Sequence, residues 1–272
     1  MARANGVREI WAEGRAVVNS WLGIPSSFSA EVMAHAGWDS LVVDMQHGMI
    51  DYSMMVPMLQ GISTTGTVPL VRVPWNDPAH IQKALDAGAY GIICPMINNR
   101  AEAEKFVDSM RYAPLGHRSS GPIRAALYGG SDYHMKANDL VVAFGMIETA
   151  EAINKLDEIL PTPGLDAIYV GPSDLSISYG HPPGGDKPDD WMMAALKKVL
   201  DACKRHNVQP GIHCGAPAYA KRMIEMGFKF VTVGGDARFV TMGAAAAVAE
   251  MREGTNSGAM SKPPAGGSTS PY

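Results

Sequence analysis

The stretch Leu41-Val42-Val43-Asp44-Met45-Gln46-His47-Gly48 runs through apolar residues, ends in Asp, Gln and His, and breaks on Gly. It reads as a buried strand whose C-terminal end delivers polar side chains into a shared cleft. Three more stretches end the same way: Leu70-Val71-Arg72, Phe144-Gly145-Met146-Ile147-Glu148, and Ile168-Tyr169-Val170-Gly171-Pro172-Ser173-Asp174. Strands that end in His, Arg, Glu and Asp point to one site at one rim of a barrel.

Working outward, eight short apolar runs emerge: Ala16 to Gly23, the run to Asp44, Val68 to Val73, Gly91 to Met96, Val141 to Glu148, Asp166 to Gly171, Gln209 to Cys214, and Lys229 to Val233. Helical segments alternate with them. Ser27 or Ser29 is the expected N-cap of the helix through Ala36, and Asp77 with Pro78 opens the one running to Ala87. Further helices are expected over Arg100 to Arg111, Ala150 to Leu160, Asp190 to His206, Pro217 to Met226 and Ala237 to Arg252. The alternation predicts an α/β protein with parallel crossovers, in the form of a (β/α)₈ TIM barrel over residues 1–252. A doubly wound open sheet gives similar local signals, but the clustering of polar residues at strand ends favours the barrel. Tyr112 to Asn138 has no sustained periodicity and reads as an active-site loop with a short helix near its end. Ser178 to Asp189 is a second long loop. Residues 253–272 are rich in Gly, Ser and Pro and predict a flexible tail.

Composition narrows the function classes. The chain has 272 residues, 46% of them apolar, a formal net charge of −4 and a pI of about 6.1. That balance gives no basic footprint for nucleic acid. No apolar run approaches the roughly 18 residues of a membrane span, and no signal-peptide core opens the chain. Cys94, Cys203 and Cys214 form no CxxC pair and suggest a reduced, cytoplasmic setting.

The strand-end residues carry the chemistry. Glu148 and Asp174 end consecutive strands, which lie about 4.8 Å apart in a barrel, so the two carboxylates can share one Mg²⁺ or Mn²⁺ and leave most of its shell to water and substrate oxygens. Each carboxylate alone could equally cap a helix. Arg72 suits a developing oxyanion or a carboxylate, or else a salt bridge to a rim acid such as Asp44. His47 suits a general base near neutral pH. Backbone amides after Gly171-Pro172, near Ser173 and Asp174, can form an anion nest. His213 and Cys214 are expected to line the pocket.

Beyond these, the chain resembles the class II pyruvate aldolases of the HpcH/HpaI aldolase/citrate lyase family. The resemblance covers about residues 6 to 250 and rests on Asn19-Ser-Trp-Leu-Gly23, Asp44-Met-Gln-His47, Val71-Arg-Val-Pro-Trp-Asn-Asp-Pro78, Pro95-Met96, Arg111-Tyr112 with Gly116-His-Arg118, Ile147-Glu-Thr149, and Val170-Gly-Pro-Ser-Asp-Leu-Ser176. It implies a divalent cation (Mg²⁺, Mn²⁺ or Co²⁺) held by Glu148 and Asp174, an enolate stabilised by Arg72, and proton transfer by His47 oriented by Asp86. Backbone near Ser173 and Asp174 would hold the substrate carboxylate, and Trp21 would border the pocket. It implies a small 2-oxo acid and an aldehyde as substrates, and a homo-oligomer, a hexamer built as a trimer of dimers, with the last helix exchanged between protomers. The sequence departs from the family at Met45, Gln46, Met146 and His213, which bears on the acceptor aldehyde. The alternatives are an oxaloacetate decarboxylase or an acyl-CoA carbon–carbon lyase using the same enolate site, although no basic stripe for a CoA thioester is present. A non-catalytic barrel would lack a ligand or base, and none of the set is missing.

Overall fold

The structure is a computed structural model in which residues 2–253 are described; the expected tail lies outside them beyond Glu253. Eight strands form one closed, all-parallel barrel in chain order: β1 (Val17–Leu22), β2 (Ser40–Asp44), β3 (Val68–Arg72), β4 (Gly91–Cys94), β5 (Val142–Ile147), β6 (Ala167–Val170), β7 (Gln209–Cys214) and β8 (Phe230–Gly235). Closure is made by β1 on β8, with Val17 beside Phe230 and Asn19 beside Thr232. The strands read as continuous apolar runs because both faces are buried: one packs on the barrel interior and the other on the helices.

Alternation along each strand sorts residues between the two. Val17, Trp21, Val42, Leu70, Phe144, Met146, Tyr169 and Phe230 belong to one buried cluster, inside the barrel. Leu41, Val43, Val71, Ile147, Ile168, Val170, Ile212 and Val231 belong to the other, between strands and helices. At the N-terminal end the interior is closed by α1 (Gly6–Ala12), capped by Asn5. Trp11 of α1 meets Phe144 edge-on at 5.7 Å, and its indole donates to the Lys229 carbonyl at 2.8 Å. The same alternation carries Trp21, Asp44, Arg72 and His213 inward at the opposite rim.

The expected cap of α4 (Pro78–Asp86) is present: Asp77 accepts from Ala79 N, with Pro78 opening the helix. The cap of α2 (Ser27–Ala34) is instead Ser26, which accepts from Ser29 N. The segment expected as a loop with one short helix holds two, α6 (Ile123–Gly129) and α7 (Tyr133–Leu140), after α5 (Arg100–Met110). Arg118 orders it: the guanidinium donates to Asp86 at 2.8 Å and lies over the Tyr112 ring at 4.4 Å. The last helix, α13 (Asp236–Arg252), leaves the barrel with every residue from 240 onward exposed, Val240, Met242, Val248 and Met251 among them. No described helix is long and apolar enough to cross a membrane.

Candidate active site

Strand register builds the first part of the site. β2 and β3 pair so that Asp44 stands beside Arg72. Asp44 Oδ1 accepts from Arg72 Nε at 2.8 Å and Oδ2 from Nη2 at 2.6 Å, a bidentate pair with Arg72 only 1% exposed. The salt bridge weighed as an alternative for Arg72 therefore exists, and it fixes the plane of the guanidinium. The Trp21 ring packs on that plane at 4.1 Å. Asp44 Oδ1 also accepts from the Gln46 and His47 amides at 3.0 and 3.3 Å, which folds the chain back and presents His47 at the rim. Gly48 completes this turn: a Cβ there would lie 2.3 Å from the Asp44 carbonyl oxygen.

His47 has its pKa lowered, first by partial burial and then by the Arg72 charge, while Asp44 and Asp174 act in the opposite sense. It is therefore neutral and basic near pH 7. The structure ties Asp86 to Arg118, and within the chain the carboxylate that orients the His47 turn is Asp44. Asp86 closes α4 beneath the α6–α7 segment, where it accepts from the buried Arg118 guanidinium.

The second part comes from β5 and β6. Glu148 follows β5, 3% exposed, and Oε1 accepts from Met96 N at 2.8 Å. Burial pushes its carboxyl up to about 7; the Asp174 charge adds to the rise, while the Met96 amide and Arg72 oppose it. Asp174 lies in the first turn of α10 (Pro172–Ser178), partly exposed. Gly171 lets the turn after β6 approach Glu148, since a Cβ there would stand 2.5 Å from Glu148 Oε2.

These residues fit a hard divalent cation. A carboxylate whose pKa is raised by burial, with a second carboxylate adding to the rise, is one that a bound cation would favour in its charged form. Among the described residues no group of three or more His, Cys, Asp or Glu side chains is arranged to hold a metal. The Glu148 and Asp174 carboxylates would suit Mg²⁺ or Mn²⁺ completed by water and substrate, and not a closed zinc site.

Two cavities meet here. A narrow one is lined by Arg72, Met146, Tyr169, Gly171, Pro172 and Ser173. An open one of about 450 Å³ is lined by Asp44, His47, Met49, Asp236 and neighbouring backbone. Trp21 and His213 line both. Cys214, expected at the pocket, faces the other way: it packs fully buried in the outer cluster, with burial raising the thiol pKa. Sequence reasoning gave Asp44 only the part of a rim acid and passed over Tyr169 and Thr232. The one available signal was Asp44 and Arg72 closing neighbouring strands.

A sequence model of the HpcH/HpaI aldolase/citrate lyase family matches residues 19–242. The chain belongs to this family. As an HpcH/HpaI family member it is a carbon–carbon lyase of the aldolase type. It is 41% identical over 248 residues to a hydroxypyruvate/pyruvate aldolase of Rhizorhabdus wittichii, covering 91% of this chain and 99% of that one. It is 36% identical over 248 residues to a 4-hydroxy-2-oxo-heptane-1,7-dioate aldolase of Klebsiella pneumoniae, covering 90% and 93%. Among solved structures, an HpcH/HpaI family protein of Burkholderia cenocepacia superposes with a TM-score of 0.85 at 32% identity, over 92% of this chain and all of that one.

Proposed function

We propose that the chain is a divalent-metal-dependent class II aldolase that makes and cleaves 4-hydroxy-2-oxo acids, with pyruvate or hydroxypyruvate as donor and an aldehyde as acceptor. The observation that carries this reading is the Asp44-clamped guanidinium of Arg72 facing the same narrow cavity as the Gly171–Ser173 turn, beside the Glu148–Asp174 carboxylate pair. A cation bound by Glu148 and Asp174 (Mg²⁺, Mn²⁺ or Co²⁺) supplies a Lewis acid for the 2-oxo acid. The chain's own residues do the rest. The Ser173 and Asp174 amides hold the substrate carboxylate. Arg72 donates to the C2 oxygen as charge moves onto it when the C3–C4 bond breaks. Trp21 walls the cavity and keeps the guanidinium desolvated. His47, neutral near pH 7, takes the C4 hydroxyl proton, and returns it in the direction of synthesis.

The test is His47→Ala. Decarboxylation of oxaloacetate at the same enolate site needs no base for a hydroxyl. The variant loses about 10²–10⁴-fold in aldol cleavage and keeps oxaloacetate decarboxylation within a few-fold. Equal loss of both activities, measured by coupled pyruvate assay, removes His47 from this role.

The assembly belongs to the same reading. The exposed apolar face of α13 around Val240, Val248 and Met251 is one that a soluble monomer rarely leaves bare, and exchange between protomers of a hexamer, a trimer of dimers, would cover it. The three buried free cysteines accord with a cytoplasmic protein. By light scattering the full chain is expected to be hexameric and the pair Val240→Glu with Val248→Glu to form smaller species; an unchanged mass would remove α13 from the interface.

A further inference from the structure

The turn after β4 is bound to the end of β5 at several points, and from that arrangement we infer that Asn98 is a positioning residue for the cation site: it holds Met96 in a left-handed backbone conformation, so that the Met96 amide takes one oxygen of Glu148 and leaves the other for the metal.

Met96 has a φ of 56°. Few residues other than glycine adopt that region, and one held there marks surroundings that over-determine it. Those surroundings are on β5. Along an extended strand, successive peptide groups face opposite sides. Here two in a row face β5: Met96 N donates to Glu148 Oε1 at 2.8 Å, and Ile97 N to the Met146 carbonyl at 3.1 Å. The left-handed φ of Met96, which lies between the two amides, turns them the same way.

Asn98 closes the turn from its other end. Its Nδ2 donates to the Met96 carbonyl at 3.1 Å, and its Oδ1 accepts from the Thr149 hydroxyl. The amide cannot be turned over, because a backbone carbonyl only accepts. Thr149 adjoins Glu148 and is itself fixed as the N-cap of α8 (Ala150–Asn154), where it accepts from Ala152 N at 3.1 Å. One side chain thus ties the residue that donates to Glu148 to the residue that follows Glu148.

The consequence falls on the two oxygens of Glu148. Oε1 is taken by the Met96 amide. Oε2 accepts no hydrogen bond from a described residue and stands against Gly171, where a Cβ would lie 2.5 Å from it. α10, with Asp174 in its first turn, begins at the next residue. Glu148 therefore offers a cation Oε2, on the side of the turn that carries Asp174, and a carboxylate free to rotate would not. Partners that hold a ligating group in this way are worth about 10–100-fold in metal affinity.

The inference rests on the Glu148–Asp174 cation of the proposed function. Its test is Mn²⁺ titrated into the metal-free full chain at pH 8, with free Mn²⁺ read by electron paramagnetic resonance. Asn98→Ala is expected to raise the Mn²⁺ dissociation constant about 10–100-fold. Met96→Gly adopts the positive φ freely and keeps the amide, so the constant is expected to stay within about threefold. Met96→Val, whose branched side chain resists that φ, is expected to raise it as Asn98→Ala does. Melting of the metal-free proteins separates this from a role in folding alone, which lowers Tm without moving the constant. The Met96 pair carries the test should Asn98→Ala not fold. An unchanged constant in folded Asn98→Ala, or equal weakening in Met96→Gly and Met96→Val, overturns the proposal while the aldolase reading stands. A wild type that binds no Mn²⁺ fails that reading, and the proposal falls with it.

Discussion

Arg72→Lys is expected to lower kcat for aldol cleavage by about 10²–10³-fold, the usual cost of losing one preorganised oxyanion donor, with a smaller change in KM. The reason is geometric. Asp44 engages Nε and Nη2 of the guanidinium, so Arg72 neutralises a buried carboxylate and still presents a further nitrogen in a fixed plane against Trp21. A lysine ammonium is a single point. Drawn to Asp44, it is pulled from the substrate oxygen; drawn to the oxygen, it leaves Asp44 unpaired. The lysine variant keeps the charge and is expected to fold. Arg72→Ala strands a buried carboxylate and is expected to cost about 3–5 kcal/mol of stability as well. Steady-state kinetics with thermal melts separate the two, and turnover by Arg72→Lys within fivefold of wild type would take Arg72 out of the mechanism.

Glu148→Gln is expected to abolish metal binding and turnover and yet to make the metal-free protein more stable at pH 8. Burial pushes the Glu148 carboxyl up to about 7 from an ordinary value of 4.5. The folded state thus holds its proton more tightly than the unfolded chain does. That contribution to stability is fully present below pH 4.5 and is lost as pH rises through about 7. At pH 8 the metal-free protein carries two neighbouring carboxylates, one of them buried; glutamine removes the buried charge and can still accept from the Met96 amide. For the wild type, added Mg²⁺ or Mn²⁺ is expected to raise Tm more at pH 8 than at pH 6, where a proton competes for Glu148. In Glu148→Gln the metal-induced rise disappears at both. A variant that still gains stability from the metal, or that melts below the metal-free wild type at pH 8, contradicts this account of the carboxylate pair.

Much of the fold was legible because a parallel sheet buries both faces of its strands, which then read as short apolar runs alternating with helices, and the polar strand ends favoured a barrel over an open sheet. Strand ends in Asp44, Arg72 and Glu148 marked the rim for the same reason, since a charged residue closing a buried strand needs a partner there. What stayed hidden depends on pairing across the barrel. That Asp44 takes both Nε and Nη2 of Arg72 follows from the β2–β3 register, which no local pattern encodes. Arg118 claims Asp86 from a segment without periodicity, the same segment whose two helices were read as one. Asn19, Tyr169, His213 and Thr232 come from four strands, and in the sequence three of them are single polar or aromatic residues inside apolar runs. Closure of β1 on β8 brings Asn19 to the Thr232 hydroxyl, and Tyr169 bridges that hydroxyl to His213. The outward face of Cys214 was decided by strand alternation once His213 pointed in.

The central claim is that Glu148, Asp174 and Arg72 generate the enolate of a 2-oxo acid. It is tested most directly by proton NMR of pyruvate in D₂O, with no aldehyde present. The metal-loaded wild type is expected to exchange the C3 hydrogens for deuterium, EDTA to stop the exchange, added Mg²⁺ or Mn²⁺ to restore it, and Arg72→Lys and Glu148→Gln to lack it. Exchange that persists in EDTA, or that survives either substitution, would contradict the claim.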